Sequence, residues 1–172
     1  MPPEPEEVQV RPGVEDDLTD LTDLYNHYVR ETAITFDTAP FTPQERLPWL
    51  LSHPVDGPYR LMVATDTGSR RILGYATSSP FRPKPAYATS VETTVYVAPD
   101  AGGRGIGTLL YKALFEALAG EGLHRACAGV TQPNDASTRL HERFGFRYVG
   151  TYREVGRKFG RWWDVAWYEK EL

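Results

Sequence analysis

The sequence predicts an α/β protein whose mixed sheet is mostly antiparallel, contains one parallel β-α-β unit and carries helices on both faces. The parallel unit is predicted by YVAPDAGGRGIGTLLYKALFEAL at 96–118, where an apolar strand passes through four glycines into an amphipathic helix. Another strand pattern follows at 124–131, and a right-handed crossover through the helix makes these two strands parallel. The tight connection DTGS at 66–69 joins two further strand patterns and favours antiparallel pairing.

The chain of 172 residues is predicted to form one domain over 8–172, because no repeat or linker divides it. Residues 1–7 are acidic and proline-rich, and we expect them to form a disordered tail.

Composition excludes several classes of function. A formal net charge of −4 argues against non-specific nucleic-acid binding, because no basic surplus offsets the phosphates. No apolar run reaches the length of a membrane span, and the N-terminus lacks the basic and apolar regions of a signal peptide. The only cysteine, Cys127, excludes an internal disulfide and a cysteine-based metal cluster, and its strand pattern predicts a buried thiol. We therefore expect a cytoplasmic protein without nucleic-acid, membrane or metal binding.

The elements before the glycines are two helices and four strands. Apolar residues at helical spacing predict the first helix within 15–32, and Thr42, Pro43 and Glu45 form a capping box that starts the second. The segment 81–87 is too proline-rich for a helix or central strand and is predicted to be a stiff loop. Alternating or β-branched residues predict strands at 8–12, 59–65, 71–81 and 90–97.

The helix after the glycines has the clearest pattern in the chain, and Gly120 and Gly122 end it. Asn134 is predicted to cap a shorter helix that ends at Gly145. Two strands, at 147–156 and 162–172, close the chain, giving the order β-α-α-β-β-β-α-β-α-β-β. The apolar stripe of the long helix consists of Ile106, Leu109, Leu110, Ala113, Leu114, Ala117 and Leu118.

The glycine-rich loop predicts an anion site. Gly102, Gly103, Gly105 and Gly107 are more glycines than a tight turn requires, and they leave backbone N–H groups accessible beside a helix N-terminus. A phosphate or pyrophosphate suits this arrangement better than a bare turn does, and Arg104 can add a charge-assisted contact. A dinucleotide fingerprint starting at Gly103 fails because its sixth position is Thr108, and the Gly-Lys-Ser/Thr of a Walker A loop is absent.

The run Gly102-Gly103-Arg104-Gly105-Ile106-Gly107 resembles the Gln/Arg-x-x-Gly-x-Gly/Ala acetyl-CoA loop of the GNAT N-acetyltransferase superfamily. Its first position departs from the pattern, and we expect this to weaken contact with the pyrophosphate without abolishing function. The later run QPNDASTRLHERFGF is similar to the second CoA-contacting segment of that superfamily, with Asn134 as helix cap and His141 at the usual Tyr position.

The resemblance implies the GNAT acyltransferase fold, acetyl-CoA as cosubstrate and no metal. The strand before the loop is implied to pair with the pantetheine arm, although plain strand packing also explains its apolar side chains. The implied cofactor-binding residues are Val95, Tyr96, Val97, Gly102, Gly103, Arg104, Gly105, Ile106, Gly107, Thr108, Asn134 and Ser137.

Glu92 and His141 are the candidate catalytic residues. Transfer of acetyl to an amine requires a group that takes the amine proton and a group that stabilises the departing thiolate. Glu92 is the only charge in the strand SVETTVYV and is the candidate base, directly or through water, the alternative being an exposed strand carboxylate. His141 is assigned as acid or base, the alternative being an ordinary helix histidine.

Within the superfamily, the chain resembles the phosphinothricin and methionine sulfoximine/sulfone acetyltransferases along nearly its whole length, including PFRPKPAYATSVETTVYV and KFGRWWDV. An anionic amino acid needs cations in its pocket, which the proline-rich loop can supply. The implied acceptor-binding residues are Phe36, Arg82, Lys84, Tyr87, Glu92 and Val130.

Two alternatives remain open from the sequence. The acceptor can be a polyamine, an aminoglycoside or a protein N-terminus, although cations on the loop fit cationic acceptors poorly. The chain can also be a non-catalytic acetyl-CoA-binding domain, which the presence of Glu92 and His141 disfavours. The resemblance further implies a homodimer, in which exposed aromatic residues of the C-terminal run serve the interface, whereas Trp162, Trp163 and Trp167 are expected mainly to pack in the sheet.

Overall fold

A seven-stranded sheet is the centre of the computed structural model, which describes residues 7–172. The strands are β1 (Val8–Pro12), β2 (Leu61–Asp66), β3 (Ile72–Pro80), β4 (Ser90–Val97), β5 (Arg125–Thr131), β6 (Arg147–Lys158) and β7 (Arg161–Glu171). The α-helices of the described chain are α1 (Leu18–Glu31), α2 (Pro43–Leu51), α3 (Ile106–Leu118) and α4 (Asp135–Arg143). The predicted order of elements is confirmed.

The sheet has the strand order β1-β2-β3-β4-β5-β7-β6. Only β4 and β5 run parallel among these neighbours, and they are joined by the crossover through α3. The mixed, mostly antiparallel sheet with one parallel β-α-β unit is therefore confirmed. None of the helices in residues 7–172 is long and apolar enough to cross a membrane.

Helices cover both faces of the sheet, as predicted. Alternation along β4 directs Thr93 toward α3, where its hydroxyl contacts that of Tyr111. Tyr96 points the opposite way and packs edge-on against Tyr25 of α1, with ring centroids 5.6 Å apart. Side chains at even positions of β4, including Glu92, thus face the side of α1 and α2.

Local boundaries differ from the predictions where proline and acidic side chains favour tighter turns. The first helix begins as a 3₁₀ turn at Glu15–Asp17, and the loop 81–87 contains another at Pro85–Tyr87, where proline occupies a first-turn position that needs no N–H. The expected tail at 1–7 lies outside the described residues except for Glu7, whose carbonyl accepts a hydrogen bond from the Thr67 amide.

The capping residues perform their predicted functions. Thr42 Oγ1 accepts from the Glu45 amide at 3.2 Å, and Glu45 Oε2 accepts from the Thr42 amide at 2.8 Å. The connection between α1 and α2 is held by Asn26, whose side chain donates to the Phe41 carbonyl at 2.7 Å and accepts from the Phe41 amide at 2.8 Å. This pair of bonds holds the end of the connection against α1.

The core is centred on α3 and the strands beneath it. In the predicted stripe Leu110 and Leu114 are fully buried, but Leu109 is 39% exposed and the unassigned Tyr111 is fully buried. The buried face of the helix is therefore rotated toward Tyr111. The phenol can be buried because its hydroxyl has hydrogen-bond partners.

Candidate active site

The two parallel strands separate along their length and open a cleft in the sheet. They are paired only from Ser90 to Glu92 on β4 and from Arg125 to Cys127 on β5. Beyond Glu92, the peptide groups of β4 on this edge have no partner on β5, while β4 remains paired with β3 to Val97. A polar strand edge lining a cavity can bind a ligand's amide groups as a third strand would.

The cleft has a volume of about 470 Å³ and contains most of the predicted cofactor-binding residues. The residues of the predicted site that line it are Val95, Tyr96, Val97, Gly102, Gly103, Gly105, Ile106, Gly107, Thr108, Val130, Asn134, Ser137 and His141. Val130, predicted for the acceptor, thus lies with the cofactor residues on β5.

The glycine loop forms one end of the cleft. Gly103 and Gly105 have φ of +76° and +74°, in the left-handed region that favours glycine, and Gly105 is the N-cap of α3. No side chain of the described residues caps this helix, so its first N–H groups are available to an anion. A Cβ atom at Gly102, Gly103 or Gly105 would meet nothing within 4 Å, which shows that the loop surface is open to a ligand.

The cations beside this loop come mainly from α4. Arg139 and Arg143 both line the cleft, and Arg143 donates to Thr108 Oγ1 at 2.7 Å. Arg104 does not line the cleft, and its charge acts on Asp100 and Asp66. Sequence reasoning missed the two α4 arginines because charges on an amphipathic helix usually mark a solvated face.

The start of α4 is fixed by Asn134 at the opposite wall. Its Oδ1 atom accepts from the Ser137 amide at 3.2 Å, as the predicted cap requires. Gly107 lies where α3 approaches this helix, and a Cβ atom there would be 3.2 Å from Leu140 Cδ2. The two helices therefore bring the loop and the second predicted CoA-contacting segment onto one cleft.

A buried hydrogen-bonded chain lies on the α3 side of the cleft. His141 Nδ1 donates to the Ser137 carbonyl at 2.7 Å, which leaves Nε2 as an acceptor. The Tyr111 hydroxyl donates to that Nε2 at 2.8 Å and lies 3.2 Å from Thr93 Oγ1. Burial lowers the pKa of His141, although the Ser137 carbonyl opposes this, and burial raises the pKa of Tyr111. A neutral imidazole paired with a neutral phenol is the favoured state.

Glu92 lies at the point where the strands separate, on the face opposite Thr93. It is partly buried, and loss of solvent raises the pKa of its carboxyl, while the positive charge of Arg82 lowers it. A carboxylate with a raised pKa is a stronger base than an exposed one. The position and environment of Glu92 suit a general base.

Apart from Val130, the predicted acceptor-binding residues lie outside the cleft lining. The Arg82 guanidinium lies 4.2 Å from the Phe81 ring centroid, and its charge acts on Glu92. Lys84 and Tyr87 are on the exposed side of the same loop, with the Tyr87 amide donating to the Lys84 carbonyl at 3.0 Å. All three side chains are exposed to solvent, and of these only Arg82 acts electrostatically on Glu92.

Residues 21–146 match the Acetyltransferase (GNAT) family. The chain belongs to the GNAT family. It is 81% identical over 166 residues to a phosphinothricin N-acetyltransferase of Streptomyces coelicolor, covering 96% of this chain and 97% of that one. It is 35% identical over 156 residues to an L-methionine sulfoximine/L-methionine sulfone acetyltransferase of Pseudomonas paraeruginosa, covering 91% and 90%.

A GNAT superfamily phosphinothricin acetyltransferase from Sinorhizobium meliloti, solved in complex with AcCoA, has the same fold. Its TM-score is 0.88 at 30% identity, with coverage of 96% of this chain and 88% of that chain. The predicted GNAT fold and the predicted acetyltransferase class are confirmed.

Two other side chains differ from expectation. Cys127, expected to be buried, is only partly so, because it lies on the Glu92 face where β5 borders a second cavity; burial nevertheless raises the pKa of its thiol. Trp162, expected mainly to pack in the sheet, is 53% exposed because it follows the turn at the end of the hairpin formed by β6 and β7.

Proposed function

We propose that the protein transfers acetyl from acetyl-CoA to the α-amino group of phosphinothricin-like or methionine sulfoximine/sulfone-like amino acids. The observation that carries this proposal is the meeting of three features at one point of the sheet: the divergence of β4 and β5, a partly buried Glu92, and Arg82 beside it. The names of the relatives support this choice of acceptor.

The cleft fits acetyl-CoA by its own chemistry. The uncapped N-terminus of α3, the open loop surface and the arginines Arg139 and Arg143 suit a pyrophosphate and a further phosphate. The free edge of β4 at Thr93–Val97 suits the amides of the pantetheine arm. When bound, acetyl-CoA supplies the acetyl thioester.

Glu92 accepts a proton from the acceptor's ammonium group, directly or through a water molecule, so that the neutral amine can attack. Binding both substrates side by side requires no covalent intermediate on the enzyme. The hydroxyl of Tyr111, held by Thr93 and His141, lines the cleft on the other side of β4. We assign the Tyr111 hydroxyl to the departing thiolate: it turns from His141 Nε2 to donate to the sulfur, and the sulfur leaves as the CoA thiol with the second proton lost by the acceptor nitrogen. His141 positions Tyr111.

The acceptor's anionic groups are bound from the proline-rich loop. The Arg82 guanidinium is held by stacking on the Phe81 ring. It can pair with a carboxylate of the acceptor, and its charge lowers the pKa of Glu92. Lys84 and Tyr87 are exposed and able to reach a second anionic group, such as a phosphinate. Phe36 provides an apolar wall, being 38% exposed at the connection between α1 and α2.

Mass spectrometry of the reaction product tests this assignment. Incubation with acetyl-CoA and phosphinothricin should give the N-acetyl amino acid together with free CoA. Acetylation of a lysine-like or polyamine substrate in preference would favour the alternative acceptors, and binding of acetyl-CoA without any transfer would favour a non-catalytic domain.

The proposal includes a cytoplasmic homodimer. A cytoplasmic location follows from the use of acetyl-CoA. β6 is an edge strand of the sheet and carries apolar side chains that are exposed to solvent, such as Tyr152 at 60%. Long apolar edges are usually covered by a partner, and a second copy presents the same self-complementary edge. Sedimentation velocity should give the mass of two 19.4 kDa chains, and the mass of one chain would contradict the dimer.

A further inference from the structure

The C-terminal run KFGRWWD at 158–164 has no role in the site as described so far, yet its residues build a defined hairpin. Phe159 and Gly160 both have positive φ, 54° and 70°, and connect the paired residues Lys158 and Arg161. Two consecutive positive φ values are typical of the tightest hairpin turns. Trp163 Nε1 of β7 donates to the Lys158 carbonyl at 2.9 Å, and this bond fixes the end of β6.

The same hairpin contains an irregular stretch that presents Gly156. Pairing of β6 with β7 is shifted between Tyr152 and Gly156, and the Asp164 carboxylate accepts from the Glu154 amide at 2.7 Å within this stretch. Gly156 packs directly against Phe36, since a Cβ atom on Gly156 would lie 2.2 Å from the Phe36 ring. The absence of a side chain at Gly156 therefore sets where that ring can lie.

Lys158 holds the neighbouring residue of the same segment. It is 5% exposed, and its ammonium donates to the Thr35 carbonyl at 2.9 Å. Thr35 is held on its other side by the Tyr25 hydroxyl, 2.8 Å from Thr35 Oγ1, and its hydroxyl also contacts Tyr96 of β4. Residues 35 and 36 are thus fixed from β4 and α1 on one side and from the hairpin on the other.

This arrangement connects the two parts of the sheet that separate beyond Glu92. The connection between α1 and α2 packs on the part of the sheet that contains β4. Lys158 lies on β6, which is joined to β5 through β7. Resting on the acceptor role given to Phe36 under the proposed function, we propose that Lys158 and Gly156 are positioning residues for the acceptor: they fix the segment 35–36 so that Phe36 closes the acceptor side of the site. A wall already fixed before the acceptor arrives reduces the entropy lost on binding.

A kinetic comparison of two lysine variants tests the proposal. Lys158→Met removes the ammonium and keeps the apolar stem. Lys170→Met is the matched control, because Lys170 is partly buried and, like Lys158, donates to a backbone carbonyl, that of Phe144, at 2.7 Å. We expect Lys158→Met to raise the acceptor KM by about tenfold, the size that one charge-assisted hydrogen bond supports, with the acetyl-CoA KM unchanged. Equal rises in both KM values, or the same acceptor effect from Lys170→Met, would overturn the proposal.

A variant pair tests the contribution of Gly156. Gly156→Ala should raise the acceptor KM when Phe36 is present and have no further effect in a Phe36→Ala background, because the clash is with that ring. An undiminished effect of Gly156→Ala in the Phe36→Ala background would show that Gly156 acts elsewhere.

Hydrogen exchange separates this proposal from the choice of acceptor. Amides in the segment 33–37 should exchange faster in Lys158→Met than in Lys170→Met, whatever amino acid the enzyme acetylates. If phosphinothricin is not turned over but exchange is accelerated, the proposed acceptor fails and the positioning role stands. If exchange in this segment is unchanged in Lys158→Met, the positioning role fails regardless of activity.

Discussion

Substitution of Glu92 by Gln tests the assignment of the catalytic base. The amide has nearly the same shape as the carboxylate but cannot accept the amine proton, so kcat should fall by about 100- to 10,000-fold, the usual contribution of a general base. This loss corresponds to about 2.7 to 5.4 kcal/mol of transition-state stabilisation. The fold should tolerate the change, because burial already disfavours the charge on Glu92.

The acetyl-CoA KM should remain within about twofold, which is roughly 0.4 kcal/mol, because Glu92 is not among the residues that line the cleft. Release of CoA thiol can be followed with a thiol-reactive dye after subtraction of the reaction of Cys127, the only cysteine. Glu169→Gln is a suitable control, since this carboxylate faces the same side of the sheet and pairs with Arg147. A fall in kcat of less than about tenfold, or a parallel rise in the acetyl-CoA KM, would refute the reasoning.

Three further predictions concern the surroundings of the base and the cofactor. Arg82→Gln should move the acid limb of the pH–rate profile to higher pH, because the active form of Glu92 is deprotonated and Arg82 lowers its pKa; a limb that stays in place or moves down would contradict this. Gly105→Val should chiefly weaken acetyl-CoA binding in a calorimetric titration, since φ of +74° costs a side chain about 1–2 kcal/mol and Val would cover the loop surface; unchanged affinity would exclude this loop as the anion site. Tyr111→Phe should lower kcat by about tenfold or more with little change in either KM, because the hydroxyl that turns from His141 Nε2 to the thiolate is lost; full activity would contradict this role of Tyr111.

The glycine loop and α3 could be predicted from sequence because their signals are local. Four glycines and a helical stripe occur within one continuous run, and Gly103 and Gly105 indeed adopt positive φ. The cap at Asn134 is equally local, since its partner is the amide of Ser137. In each case the residues that interact are neighbours in the chain.

The features that sequence reasoning missed depend on contacts between distant segments. Separation of β4 and β5 beyond Glu92 is a property of strand pairing, which residue patterns do not encode. Tyr111 received no role from the sequence, because only the approach of α4 in the fold gives its hydroxyl the His141 partner. Lys158 likewise received no role from the sequence, because its partner Thr35 is 123 positions away in the chain.

The most direct test of the central claim is acceptor-dependent release of CoA thiol, measured as kcat/KM over a panel of amines. The account predicts efficient turnover of phosphinothricin or of methionine sulfoximine, and values for polyamines and aminoglycosides that are lower by at least about a hundredfold, because Arg82 repels a cationic acceptor. Turnover confined to cationic amines, or acetyl-CoA binding with no acceptor-dependent thiol release, would contradict it.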